Sequence, residues 1–315
     1  MTQGQLQSEL KALYGNLNAV IVGKQDALFV LLVALLARGH VLLEDVPGTG
    51  KTTLAKALAT SLKARFRRLQ CTPDLMPSDV TGVSVYRTDR HAFEFVPGPA
   101  FADILLADEI NRATPRAQSC LLECMEERQI TVDGETRALP ETFFVIATQN
   151  PTGFHGTYPL PEAQLDRFLV RLRLGYPMLD AELQMLRDRV TSRPLESIQP
   201  VMDLSTLARL QELVTRIAID PDVMKYIAEV VRATRKHEAV MLGASPRGSV
   251  ALMRASQCTA MLSGKSFVTP DHVKRIAPAV LAHRITLKNA TDAASAEQVI
   301  AQILEQVPVP VAASA

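Results

Sequence analysis

Residues 41–62, VLLEDVPGTGKTTLAKALATSL, restrict what this chain can fold into more than any other stretch. A short apolar run, a glycine-bearing loop and a helical pattern follow one another there without a gap. Val41, Leu42 and Leu43 read as a buried parallel strand that stops at Glu44 and Asp45, and helical periodicity begins at Lys51. Gly48 and Gly50 let the backbone turn a nest of N–H groups around a polyphosphate. Lys51 offers a point charge to the outer phosphates, and the Thr52 hydroxyl can hold magnesium. The spacing is that of a Walker A loop with one departure, because GxxxxGK[ST] asks for glycine where this chain has Asp45. That glycine eases a turn without touching phosphate, so aspartate is tolerable there.

A second apolar run, 104–107, ends in Asp108 and Glu109. Parallel sheets place ligands beyond the carboxyl ends of their strands, so both carboxylates are expected to face the phosphate loop. Asp108 then suits magnesium, and Glu109 suits polarising an attacking water. A third run, 143–147, leads into Thr148, Gln149 and Asn150, whose amide can bond both a terminal phosphate oxygen and a water. Arg167 stands between a short helix at 161–166 and a strand at 168–174 and reads two ways. It is either a structural partner of Asp166 or Glu162, or an arginine finger for a neighbouring subunit's phosphate. The apolar turn Ile21-Val22-Gly23 is equally open, as packing for an adenine ring or as a plain connection between helices.

Two hairpins are predicted, at 83–97 with a charged Thr88-Asp89-Arg90 tip and at 129–139 with Asp133-Gly134 as the turn. After Tyr176-Pro177 the pattern becomes helical, with three starts of one chemistry: Asp220-Pro221, Ser245-Pro246 and Thr269-Pro270. Arg247, in the first turn of the helix that begins at Ser245, has the wrong sign for the helix dipole. A ligand anion or an acidic partner must compensate it.

A chain of 315 residues predicts two domains, and a net charge of +1 argues against a strong nucleic-acid or anionic-membrane footprint. The most apolar run, 27–37, is about half of the roughly 20 residues needed to cross a bilayer and reads as a core helix. No secretory pattern opens the chain, so its four cysteines are expected to be reduced and a cytoplasmic location is expected.

In this order the parts resemble an AAA+ ATPase, and specifically the MoxR family. The most specific stretches are TPDLMPSDVTG (72–82), FVPGPAFADILLADEINRA (95–113) and GTYPLPEAQLDRF (156–168), and the likeness runs from Val22 to GASPR at 243–247. It implies an α/β fold, a P-loop αβα sandwich on a five-stranded parallel sheet, followed by a small all-helical lid. The boundaries expected are a core at 1–176 with two hairpin insertions, a linker at 177–202, a lid at 203–307 and a flexible tail at 308–315. It also implies ATP and magnesium as cofactors. Nucleotide contacts are expected from Val22, Val46, Pro47, Gly48, Thr49, Gly50, Lys51, Thr52 and Thr53, with metal contacts from Thr52 and Asp108. Glu109, Asn150, Arg167 and Arg247 match the catalytic acid, sensor 1, the arginine finger and sensor 2, with Arg247 acting in its own chain or across an interface. Phe154-His155 departs from the family's Gln-Glu pair. The family further implies a homo-oligomeric, typically hexameric ring that acts as a chaperone on protein clients. Its relatives often work with proteins carrying a von Willebrand factor A domain, and some insert metals or cofactors. The rival readings are an acceptor-dependent small-molecule kinase, an ATP-locked scaffold and a nucleic-acid motor or loader, the last weakened by the low net charge.

Overall fold

The apolar runs of the first half become neighbouring strands of one sheet, and its order decides where their polar ends meet. The computed structural model describes residues 3–150, 156–191, 194–289 and 293–310, so Phe154-His155 and the last five residues of the tail lie outside the described residues. In chain order come α1 (Gln3–Val20), α2 (Gln25–Leu36), β1 (Val41–Glu44), α3 (Lys51–Ser61), β2 (Phe66–Gln70) and α4 (Pro77–Thr81). The hairpin β3 (Gly82–Arg87) and β4 (Ala92–Pro97) follows, then β5 (Ile104–Asp108), α5 (Pro115–Glu127) and a second hairpin, β6 (Gln129–Val132) and β7 (Glu135–Ala138). β8 (Phe144–Gln149), α6 (Glu162–Leu165) and β9 (Val170–Leu172) complete the sheet region. Two helices, α7 (Leu179–Thr191) and α8 (Pro194–Ser197), occupy the stretch between the sheet and the helical part. That part comprises α9 (Leu204–Val214), α10 (Pro221–Thr234), β10 (Val240–Leu242), α11 (Pro246–Leu262), α12 (Pro270–Leu281), β11 (Thr286–Leu287) and α13 (Ala293–Gln306), with β10 and β11 paired as a small antiparallel clip.

The sheet runs β2-β5-β8-β1-β9, all parallel. β1 pairs with β8 and β9, and β8 also pairs with β5, so the ends of β1, β5 and β8 converge beside the phosphate loop. Helices cover both faces. One apolar core unites α1–α3 with the helical part through α9–α13, and a second lies under α4 and α5. α2 joins the sheet region to the lid helices, because Ala27, Leu28 and the run 31–36 are buried and no polar face remains. At its C-terminal end the Gln211 side-chain amide donates to the Leu35 carbonyl at 2.8 Å.

Both predicted hairpins form, the second on Asp133 and Gly134, which both adopt positive φ. The base of the first is closed by two glycines. A Cβ at Gly82, where φ is +96°, would stand 2.2 Å from the Val96 carbonyl oxygen, and one at Gly98 would stand 2.4 Å from that of Val80.

The strand predicted over 168–174 is shorter than its apolar pattern, because the flanking backbone is bonded elsewhere. The Phe168 carbonyl accepts from Arg284, and the amides of Leu174 and Gly175 donate to Asp45.

His40, just before β1, is buried and bridges two layers. Its Nδ1 accepts from the Val145 amide at 3.0 Å and its Nε2 donates to the Met125 carbonyl at 3.1 Å, a pattern that only the neutral ring satisfies. Burial, aided by the Arg128 charge, pulls its pKa down to about 3, and burial holds that of His283 well below the usual value. The unfolded chain therefore takes up protons that the folded chain refuses. This contribution to stability is complete above pH 6.5 and is lost as pH falls towards about 3. Denaturant unfolding is expected to show a stability loss approaching ~1.4 kcal/mol per pH unit for each such histidine. Replacing His40 by Gln should lower stability at pH 7 and flatten the slope between pH 6.5 and 5; an unchanged slope would contradict the assignment.

Candidate active site

β1 delivers Glu44 and Asp45 to the loop, and α3 opens at Lys51. Gly48 and Gly50 adopt φ of 86° and 95°, and Gly50 caps α3 with no side chain, so the first N–H groups of the helix point into the loop. Nothing lies within 4 Å of a Cβ placed on Gly48. Lys51 Nζ donates to the carbonyls of Asp45 (3.0 Å) and Val46 (2.6 Å), and the Thr49 hydroxyl also donates to Val46 (3.2 Å). Asp45, at the loop's unusual position, does more than tolerate a turn. It is buried; Oδ1 accepts from the Val46 amide at 2.9 Å, and Oδ2 accepts from Leu174 and Gly175 at 2.8 and 2.7 Å. The carboxylate ties the start of the loop to the segment that leaves β9.

A cavity of about 340 Å³ is lined by Pro47, Gly48, Gly50, Lys51, Thr52 and Thr53 on one side and by Asp108, Glu109, Thr148 and Asn150 on the other. The structure thus gathers most of the residues singled out from the sequence. Val46 and Thr49 lie within the loop without lining the cavity. Val22 does not line it either; its neighbour Ile21 reaches the loop, 3.8 Å from where a Gly50 Cβ would stand.

The acids at the end of β5 are held mostly by partners from other strands. Asp108 Oδ1 accepts from the Thr148 hydroxyl at 2.7 Å, and Oδ2 accepts from Arg68 at 2.6 and 3.1 Å. Arg68 reaches Asp108 because β2 lies beside β5 in register, Arg68 opposite Leu106 and Gln70 opposite Asp108. Glu109 adopts φ of 59°, a left-handed conformation rare outside glycine and frequent at functional positions. Its amide donates to the Thr148 hydroxyl at 2.8 Å, and its carboxylate accepts from Arg112 at 2.9 Å and Gln70 at 3.3 Å. Beside these acids, burial pushes the Cys71 thiol up to about 12, which keeps it protonated and unreactive.

Arg167 and Arg247 do not line the cavity. They meet elsewhere on the same chain, on Glu126. Arg167 Nη1 lies 2.8 Å from Glu126 Oε2 and donates to the Leu122 carbonyl at 3.0 Å, while Arg247 Nη2 bonds Glu126 Oε1. The neighbouring acids considered for Arg167 are not its partner. Asp166 instead accepts from Arg284 at 2.8 Å and from the Ser245 hydroxyl at 2.9 Å. The acidic partner expected for Arg247 exists, supplied by α5.

The profile described as "ATPase family associated with various cellular activities (AAA)" matches residues 40–170, and that of the AAA lid domain matches 232–303. YeaC of Bacillus subtilis is 50% identical over 98% of both chains, and Chaperone MoxR1 of Mycobacterium tuberculosis is 40% identical over 92% of this chain and 80% of its own. The chain belongs to the MoxR family of AAA+ ATPases. Protein MoxR of Methylorubrum extorquens is 30% identical over 92% of both chains. A solved structure of a candidate ATPase from Cytophaga hutchinsonii superposes with a TM-score of 0.89 at 34% identity, covering 98% of this chain and 97% of that one. As a MoxR-family member the chain is a nucleotide-binding ATPase with the αβα core and helical lid of AAA+ proteins.

Asp45, Arg68, Glu126 and Thr148 are not legible as partners from sequence, since the hydrogen bonds that define them cross strands or elements, whereas Arg112 lies only three residues after Glu109 and was within reach of local spacing. For Asp45 the consequence can be measured. Replacing it by Gly, the residue usual in the motif, strips the Leu174 and Gly175 amides of their acceptor. The change is expected to cost about 2–3 kcal/mol in denaturant unfolding; an Asp45→Gly chain as stable as wild type would show that the carboxylate anchors nothing.

Proposed function

We propose that this MoxR-family ATPase hydrolyses ATP with magnesium at the junction of two copies in a homo-oligomeric ring, a hexamer by family precedent, and uses turnover to remodel protein partners. The observation that carries this reading is the division of the site over the chain. Lys51, Thr52, Asp108, Glu109 and Asn150 share one cavity, whereas the two arginines matched to finger and sensor are paired on Glu126, outside it. A complete constellation therefore needs a second copy that presents its arginines to the first copy's cavity, which favours Arg247 acting in trans beside Arg167.

The donors suit the cofactors. Thr52 and Asp108 place a hydroxyl and a carboxylate on the same cavity as the loop amides, the hard-oxygen set that magnesium shares with phosphate oxygens. When bound, magnesium neutralises charge on those oxygens. Within the chain, the loop amides and Lys51 hold the phosphates, Glu109 orients water and accepts its proton, and Asn150 fixes the water's position.

Residues 1–176 serve as the nucleotide core, 177–202 as a linker and 203–307 as the lid. The chaperone name borne by the M. tuberculosis relative supports a protein client, as does the exposed apolar hairpin β3–β4, where Phe93 is 75% exposed and stacks edge-on against Tyr86 at 5.3 Å. A partner with a von Willebrand factor A domain and a role in metal or cofactor insertion fit the same reading. The family resemblance favours a cytoplasmic site of action; no helix among the described residues is long and apolar enough to cross a membrane.

Lys51→Ala is expected to abolish nucleotide binding, and Glu109→Gln to retain binding while slowing turnover by about 10²–10⁴-fold. Undiminished hydrolysis by Glu109→Gln, followed by phosphate release, would remove that residue from its role. Mixing Lys51→Ala with Arg167→Ala subunits should restore part of the activity that each lacks alone. Deleting residues 88–91 should leave turnover within about twofold and weaken capture of proteins that co-purify with the Glu109→Gln form; equal capture would make the hairpin irrelevant to clients.

A further inference from the structure

Glu126 breaks a helix rule, and so does Arg247. A carboxylate in the last turn of α5 faces the negative end of that helix dipole, and a guanidinium in the first turn of α11 faces the positive end of its own. Where a chain breaks a local rule, a functional or strained site is the expected reason. These two meet each other, and Arg167 joins them.

The backbone beneath the trio is fixed from both sides. Asp166, the residue before Arg167, accepts from the hydroxyl of Ser245, the N-cap two residues before Arg247, at 2.9 Å. It also accepts from buried Arg284 at 2.8 Å. The two arginines therefore spring from adjacent, mutually bonded points of the core and the lid. Two guanidinium groups so close repel one another unless a carboxylate lies between them. Glu126 supplies it with one oxygen for each. The pairing is also frugal: among the described residues Arg167 uses only Nη1, shared between Glu126 and the Leu122 carbonyl, and Arg247 uses Nη2 on Glu126. Each guanidinium carries five N–H donors, so most remain available, and the cluster keeps one net positive charge. The side chains of Arg167 and Glu126 are each 31% exposed and that of Arg247 is 52% exposed, so the fork is open to an approaching anion.

We propose that Glu126 is a positioning residue that sets Arg167 and Arg247 side by side as a single two-guanidinium receptor for the terminal phosphate of a nucleotide held by a second copy of the chain. This rests on the reading that both arginines act across the interface. Glu126 touches no nucleotide and acts only through the arginines of its own chain.

The test measures ATP turnover of Glu126→Gln and Glu126→Asp, alone and in mixed assemblies. Glu126→Gln should lower kcat about ten- to a hundredfold, the scale of a misplaced rather than missing catalytic group, with KM within about twofold and the thermal midpoint and oligomer size unchanged. Glu126→Asp should recover part of the loss. Glu126→Gln mixed with Lys51→Ala should regain activity, because the Lys51→Ala copy lends an intact arginine pair. Mixed with Arg167→Ala it should not, since both defects lie on the same face. Wild-type kcat in Glu126→Gln, or equal recovery with either partner, overturns the assignment. Should the glutamine variant fail to fold, Glu126→Asp carries the same mixing test. Failure of the Lys51→Ala and Arg167→Ala mixture would sink the trans reading and this proposal with it. Success there with failure at Glu126 would sink only the role given to Glu126.

Discussion

Arg284 and Asp166 decide how the two halves of this chain sit together. The Arg284 side chain is 3% exposed, and burial pulls its pKa to about 10, yet it stays charged at neutral pH because the site around it is saturated. Nε donates to Asp166 Oδ1, Nη1 to the Leu169 carbonyl, and Nη2 to the carbonyls of Asp166 and Phe168. An ion so deeply buried is tolerable only with this many partners, and removing one would leave an unpaired charge in the interior. The lid is thus tied to the start of β9 by a buried charge whose partners a shift of either element would remove. The second oxygen of Asp166 then takes the α11 cap, Ser245, and with it fixes where Arg247 begins.

β9 is three residues long, yet its two ends carry the contacts on which the site depends. Before it, Asp166 and Arg167 engage the lid and α5; after it, the amides of Leu174 and Gly175 hold Asp45 and so the start of the phosphate loop. The same short strand therefore touches the element that grips phosphate and the element that presents the arginines. Shift β9 along its axis and both sets of bonds fail together. The contacts at its two ends hold the phosphate loop and the arginine pair of one chain in fixed relation.

The fold was readable because its signals are local. A run such as 104–109 declares strand and acids within six residues, and Thr114-Pro115 or Ser245-Pro246 declares a helix start within two. Asp45 was legible as an anomaly but not as an anchor, since its acceptors' donors lie 129 and 130 residues away. Arg68 carries no local signal of a role, and only the parallel register of β2 on β5 brings it to Asp108. Arg247 was the instructive case. Its wrong sign for the helix dipole demanded an anion, and the chemistry of the partner followed from sequence while its identity did not. Glu126 belongs to a different element 121 residues earlier, and no periodicity connects the two.

The charges of the site obey one pattern, which explains why a nearly neutral chain can run anionic chemistry. On the cavity side the acids have cations at their backs, Arg68 on Asp108 and Arg112 on Glu109; on the other face the cations have an acid at their back, Glu126. Each functional charge is thereby fixed by a group of opposite sign without being used up, because carboxylates accept several bonds and guanidinium groups donate several. A lone Asp108 would sample many rotamers at an entropic cost paid on every cycle, whereas one bonded to Thr148 and Arg68 is already oriented. Preorganisation by a counter-charge weakens the field that a group presents, so the arrangement serves catalysis only if a partner of higher charge density arrives. In the arrangement proposed above, a triphosphate would meet that requirement on both faces at once, drawing the arginines of one copy towards the loop and Lys51 of the next.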